Sequence, residues 1–161
     1  MNNKKAFTDT ITANEGLIYK VAKVYAKNKE DEQDLYQEIV YQLWKSFGSF
    51  RNEAKVSTWM YRIALNTAIA FLNMEKRKIK QEPVDEALVD SLYSYDTQQQ
   101  EQIEELYTAI KQLNTIEIGL ILLYLEGRPY DEIAAITGFT VTNVGTRLAR
   151  IRQKLILHIK K

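Results

Sequence analysis

Apolar side chains in this chain recur three and four residues apart wherever they cluster, and nowhere do they alternate with polar ones over the length of a strand. A period of about 3.6 residues admits helices and gives a sheet nothing to build on. Phe7, Ile11, Leu17, Ile18, Val21 and Tyr25 follow it, as do Leu35, Ile39, Val40, Leu43, Trp44 and Phe47. A third segment starts near Ser57 or Thr58, both plausible caps, and runs through Trp59, Ile63, Ala64 and Phe71 to the charged "MEKRKIK". The pattern then lapses. "QEPVDEALVDSLYSYDTQQQEQIEE" contains one of only two prolines and a Gln run, and reads as a linker with at most a short helical turn around Glu86 to Leu92. Helical spacing resumes from about Gln102 to Leu113, from Thr115 to Glu126, and twice more before the C-terminus. The expected fold is all-α: two small helical domains, residues 1–80 and 102–161, joined by a linker over 81–101.

Charge divides along the same lines. The net charge is only +1, yet residues 1–80 hold 14 basic and 9 acidic side chains, residues 81–105 hold none and 8, and residues 106–161 hold 8 and 4. Two basic blocks therefore flank an acidic one, a distribution that fits either a nucleic-acid binder with an acidic connector or a helical protein with a solvated acidic loop.

The stretch "GRPYDEIAAITGFTVTNVGTRLARIRQKL" bears on that choice. Pro129 suits a first helical position, Ile133, Ala134 and Ile136 form a packing stripe, and Gly138 supplies the permissive backbone of a sharp turn. The next helix begins near Thr140 to Thr142. Stepping 100° per residue puts Val144, Leu148, Ile151 and Leu155 on one side and Thr142, Asn143, Thr146, Ala149, Arg150 and Gln153 on the other. Arg bonds guanine edges in the major groove, Asn bonds adenine, and Ala or Thr touches thymine methyls, so this is a helix-turn-helix whose second helix suits DNA. A solvated helix with basic residues toward its C-terminal end has the same composition.

Other chemistries find little support. Cysteine is absent and His158 is the one histidine, which excludes a thiolate nucleophile, disulfides and a Cys/His zinc site. The six glycines form no phosphate-cradling cluster, and no nucleophile pairs with His158. Neither enzyme activity, nor a metal, nor a cofactor is expected. The N-terminus lacks the apolar stretch of a signal peptide and no apolar run has membrane length, so a cytoplasmic protein is expected.

Taken together, the two basic blocks resemble the extracytoplasmic-function (ECF) sigma factors of bacterial RNA polymerase, in the sigma-70 family. "DEQDLYQEIVYQLWKSF" followed by "STWMYRIALNTAIAFL" resembles the family's second conserved region, and "YDEIAAITGFTVTNVGTRLARIRQKL" its fourth. The resemblance implies a sigma subunit that directs core polymerase to −35 and −10 promoter elements. The runner-up is a stand-alone helix-turn-helix regulator that binds its operator without polymerase.

Residue by residue, the resemblance implies docking on the polymerase clamp through Asp34, Leu35, Gln37 and Glu38. On a helical wheel Asp34, Gln37, Glu38 and Tyr41 share one arc, which is equally the pattern of a solvated acidic face. The loop "GSFRNEAKVS" and the helix after it correspond to the part that melts and reads the −10 element. Displaced bases need surfaces to stack on, polar partners and cations, and Phe50, Arg51, Asn52, Lys55, Thr58, Tyr61, Arg62 and Asn66 supply them. Lys76, Arg77, Lys78 and Lys80 form a phosphate patch or a soluble helix end, while Trp44, Trp59 and Ile63 are expected in the core. In the C-terminal block, Thr140, Thr142, Asn143, Thr146, Ala149 and Arg150 are the expected −35 contacts, with Arg147 on the backbone. Ile116, Leu120 and Leu123 face the polymerase flap or the core. Three positions depart from the family: Ala70 where Asp is frequent, Asn73 where Arg is, and Gly145, expected on the DNA-facing side, where a basic residue is usual. The acidic linker, with Tyr93 and Tyr95, implies a connector through a positively charged channel. Core polymerase, promoter DNA and an anti-sigma factor are the partners implied.

Overall fold

The computed structural model describes residues 2–50, 55–79 and 98–159, with side chains over 3–50, 55–74 and 101–159. The described residues form helices and no strand: α1 (Asn2–Ala13), α2 (Glu15–Tyr25), α3 (Lys29–Phe47), α4 (Val56–Ile79), α5 (Gln98–Lys111), α6 (Thr115–Leu125), α7 (Tyr130–Thr137) and α8 (Val141–Ile159). Three boundaries differ from the sequence reading. The first apolar segment is two helices, because Asn14 turns its side-chain amide back to the Thr10 carbonyl at 2.9 Å and its backbone N–H to Ile11 at 3.1 Å. Ser57 and Thr58 lie inside α4 rather than capping it. Gln98–Glu101, assigned to the linker, belong to α5. The turn expected at Glu86 to Leu92, along with Tyr93 and Tyr95, lies outside the described residues.

The N-terminal half is built on α2, α3 and α4. Asn28 caps α3 by accepting from the Asp31 N–H at 2.7 Å, and Glu30, Asp31 and Glu32 in its first turn suit the positive end of the helix. Leu35, Ile39 and Leu43 on α3 then meet Ile18 and Val21 on α2 and Met60 and Ala64 on α4, all excluded from solvent. α1 lies on α3, where Phe7 meets Trp44 and Phe47 edge-on at 5.0 and 5.4 Å. Trp44 is not a core residue: it sits at the margin, 45% exposed, because Leu43 takes the inward position.

In the C-terminal half α6 is apolar all round, with every residue from Ile118 to Leu123 buried. A helix without a polar face has to be covered from every side. Asn114 and Glu117 start it with a reciprocal capping box, each side chain accepting from the other's backbone N–H. Burial pushes the Glu117 carboxyl up, but the Lys154 ammonium at 2.6 Å, the Asn114 N–H and the nearby Arg147 charge outweigh it and hold the group below the usual carboxylate range. Pro129 precedes the first helical residue of α7, one position earlier than expected, and Gly138 ends that helix in the left-handed conformation (φ 86°) that a side chain would strain.

α5, α7 and α8 cover part of α6, and the N-terminal half covers the rest. Thr115, Gly119, Leu122 and Glu126 fall at helical spacing on that shared side. The Tyr25 hydroxyl donates to the Thr115 carbonyl at 2.7 Å, and Lys20 pairs with Glu126 at 2.9 Å. Gly119 permits the approach, since a Cβ there would lie 3.1 Å from the Tyr25 Oη and 3.5 Å from Leu65. Burial keeps Tyr25 a neutral donor by pushing its ionisation far above the ordinary tyrosine value.

Candidate nucleic-acid interface

The geometry of α8 follows from its sequence with little adjustment. Val144, Leu148, Ile151 and Leu155 are buried; Thr142, Asn143, Thr146, Ala149, Arg150 and Gln153 are exposed. Thr140 is partly spent on structure, since its hydroxyl accepts from the Asn143 N–H at 3.1 Å and caps the helix. Arg147 is held: its Nε donates to Asn143 Oδ1 at 2.5 Å and its guanidinium lies 4.4 Å above the Phe139 ring. Arg152 is held on another side by Tyr124. Arg150 forms no hydrogen bond or ion pair among the described residues. Gly145 is not on the free face. It is half-buried against α7, where a Cβ would meet the Tyr130 ring at 3.5 Å in ordinary contact.

On α3 the acidic arc is open. Asp34, Gln37, Glu38 and Tyr41 are exposed; Glu38 accepts from Gln42 at 3.0 Å, and Lys45 lies over the Tyr41 ring. Leu35 departs from the set. It is fully buried and holds the helix from inside.

The third group divides. Phe50 stacks on Trp59, with ring centroids 4.7 Å apart, and Trp59 and Ile63 pack half-buried against the core. Asn66 is exposed without a partner among the described residues. Thr58 and Tyr61, expected as base contacts, are 5% and 1% exposed, and the Tyr61 ring lies beneath the Arg128 guanidinium of the C-terminal half. Burial, followed by the Glu126 charge, pushes the Tyr61 hydroxyl above its ordinary value. Lys55 pairs with Glu132 at 2.7 Å, and Arg62 donates to the Ala135 carbonyl at 2.5 Å. Arg51 and Asn52 lie outside the described residues, as do the side chains of Lys76 and Arg77. Sequence reasoning missed Arg128, which donates to Ser57 Oγ at 3.2 Å, reaches Glu132 at 3.4 Å and lies over the Tyr61 ring. Its i, i+4 spacing to Glu132 was the available signal.

Two family models match these two halves. Sigma-70 region 2 covers residues 10–78, and sigma-70 region 4 covers residues 103–155. The chain belongs to the sigma-70 family. The sigma factor SigV of Bacillus subtilis is 29% identical over 98% of this chain and 93% of its own length. The ECF sigma-E factor of Haemophilus influenzae is 27% identical over 95% and 87%. In fold, the chain is similar to the sigma factor RpoE of Bartonella quintana, solved with the anti-sigma factor NepR, at a TM-score of 0.76, 18% identity and coverage of 97% of this chain and 98% of that one. It is also similar to CnrH, solved with the cytosolic domain of CnrY, at 0.71 and 18% over 98% and 89%. This ECF sigma factor is a promoter-directing subunit of RNA polymerase, in which region 2 and region 4 meet core enzyme and promoter DNA. Sigma factors are recognition subunits, not enzymes. Among the described residues, no helix is long and apolar enough to cross a membrane, and no cluster of His, Cys, Asp or Glu could hold a metal.

Proposed function

We propose that this sigma factor divides its work among three surfaces. The free face of α8 reads the −35 duplex: Arg150 and Asn143 supply base-edge hydrogen bonds, Thr142, Thr146 and Ala149 line the groove, and Arg147 grips the backbone. Phe50, Arg51, Asn52, Lys55, Thr58, Tyr61, Arg62 and Asn66 melt and read the −10 element, with Lys76 and Arg77 on phosphates. The exposed arc of Asp34, Gln37, Glu38 and Tyr41 docks on the polymerase clamp, Leu35 supporting it from beneath. Exposed Ile116 is the flap-facing residue of α6, since Leu120 and Leu123 are buried. The acidic stretch from Glu82 to Glu105 repels phosphate and suits a basic channel. The chain acts in the cytoplasm without cofactor or catalysis, under the control of an anti-sigma factor.

The observation that carries this reading is the separation of α8 into a buried apolar side and a free face that includes Arg150, an arginine without a partner among the described residues. Mobility shift of a promoter fragment with and without core polymerase tests it. A specific complex only or mainly with core supports the sigma reading, whereas tight binding by the chain alone supports the stand-alone regulator. Reversing charge at Asp34 and Glu38 weakens core affinity with the fold intact; unchanged affinity removes the docking assignment.

A further inference from the structure

The polar side chains at the start of α8 are set before any ligand arrives. The Thr140 hydroxyl accepts from the Asn143 N–H, and the Thr146 hydroxyl donates to the Thr142 carbonyl at 3.1 Å, so its proton is spent within the helix. Asn143 is exposed, yet its amide is not free to turn, because Oδ1 accepts from Arg147 Nε at 2.5 Å. Arginine can only donate, so the amide atom that faces it has to be the oxygen. Nδ2 makes no hydrogen bond among the described residues. Arg147 is itself anchored from outside the helix: it is half-buried, its guanidinium lies 4.4 Å from the centre of the Phe139 ring, and its charge is felt by Glu117 of α6. Phe139 follows Gly138 in the turn and packs against the core. The turn thus places a ring, the ring a guanidinium, and the guanidinium an amide on the free face.

We propose that Arg147 determines specificity at one base pair: by holding the Asn143 oxygen it presents that amide to DNA as a donor, and directs it to guanine in place of adenine. An asparagine reads adenine with two bonds, its oxygen accepting from N6 and its nitrogen donating to N7. Here the oxygen is committed to a charged donor, a stronger partner than a neutral base amino group. The free Nδ2 seeks acceptors only, and the major-groove edge of guanine offers N7 and O6. The Nη groups of Arg147 make no hydrogen bond among the described residues and stay available to a phosphate, so one guanidinium ties the backbone grip to the base reading. The inference rests on the −35 assignment of α8, so its test keeps the two apart.

In the free full chain, NMR follows exchange of the Arg147 Nε proton with water. The expected result is a protected proton that loses its protection in Asn143→Ala. A proton unprotected in the parent, or equally protected in Asn143→Ala, overturns the positioning before DNA is involved. With core polymerase, holoenzymes carrying the parent, Arg147→Lys, Asn143→Ala and the double substitution are then compared on promoter fragments varied base by base through the −35 element, after melting curves confirm that each variant folds. The pair at which Asn143→Ala changes the preference is the one Asn143 reads. There the parent is expected to favour guanine over adenine by about five-fold or more. Arg147→Lys keeps the charge but lacks the planar N–H fork, so the ratio falls to about parity or below while the salt dependence of binding is kept. The double variant matches Asn143→Ala at that pair. An Arg147 that serves only the fold or the phosphates lowers affinity on every sequence alike; an unchanged ratio in Arg147→Lys therefore overturns the inference, as does a parent that favours adenine. An Asn143→Ala profile equal to the parent's at every pair overturns it too and removes Asn143 from the readout. The underlying assignment is read separately, by Arg150→Ala: a changed preference at another pair leaves α8 as the −35 reader whatever Asn143 does, and an unchanged profile in both variants removes that role.

Discussion

Helices α4 and α8 both carry residues suited to nucleic acid, yet one is sheathed and the other bare. On α8 a 19-residue helix buries four aliphatic side chains along one line and leaves the opposite line to solvent. On α4, Tyr61 is buried beneath the Arg128 guanidinium and Arg62 donates to the Ala135 carbonyl of α7. The difference lies in what surrounds each helix. α8 packs on its own domain with one face, whereas α4 serves the N-terminal core with one face and the C-terminal half with another. Suitable chemistry therefore marks a candidate surface, and only the neighbouring elements decide whether that surface is open.

The comparison is most strongly disturbed from beneath α8. Leu148→Ala removes a fully buried side chain and is expected to cost about 2–5 kcal/mol of stability, read by thermal or urea unfolding. Binding of the −35 duplex by holoenzyme falls with the population of folded C-terminal half. Arg150→Ala is the complement: removing an exposed side chain that has no partner among the described residues leaves stability unchanged within about 0.5 kcal/mol and weakens −35 binding by about 1–3 kcal/mol, with relaxed preference at one base pair. Equal affinity in that variant removes Arg150 from the readout.

How far these assignments were legible depends on whether the governing contacts were local. Helical spacing shows α8, its buried line and its free face because each is set by residues within two turns, and the Gly138 stop by backbone conformation alone. Periodicity also reveals α3 with its acidic arc. The burial of Tyr61 was not legible, because Glu126 and Arg128 lie more than sixty residues away and no wheel of α4 contains them. Gly145 failed for a related reason: its angle on α8 is close to the free face, but Tyr130 of α7 reaches over it. One signal was present without being used. The uninterrupted apolar run of α6 already requires covers on more sides than its own domain supplies.

Smaller changes sharpen the account of α8. Gly145→Ala is expected to raise stability by about 1 kcal/mol, because the added methyl meets the Tyr130 ring at ordinary contact distance. It leaves −35 affinity unchanged; weaker binding in a more stable variant returns Gly145 to the groove. Glu117→Gln is the slightest. The folded-state carboxyl is held below its ordinary value near 4.5, so its contribution is present above that pH and fades as pH falls through the lower folded value. The variant is expected to be less stable at pH 7 by about 1 kcal/mol or less and equal to the parent in strong acid, as paired melting curves at the two pH values report.

The seam at Gly119 also has a consequence for synthesis of the chain. Tyr25 and Leu65, which it touches, are separated from it by the rest of the N-terminal half and the stretch beyond α4. At about 5–20 residues per second, a ribosome adds the residues between Leu65 and Gly119 in roughly 3–10 seconds. Throughout that interval the nascent N-terminal half carries an apolar patch and a buried-type tyrosine with no cover, along with cations that have not met Glu132. The newborn domain is for those seconds both stickier and more basic than the finished protein.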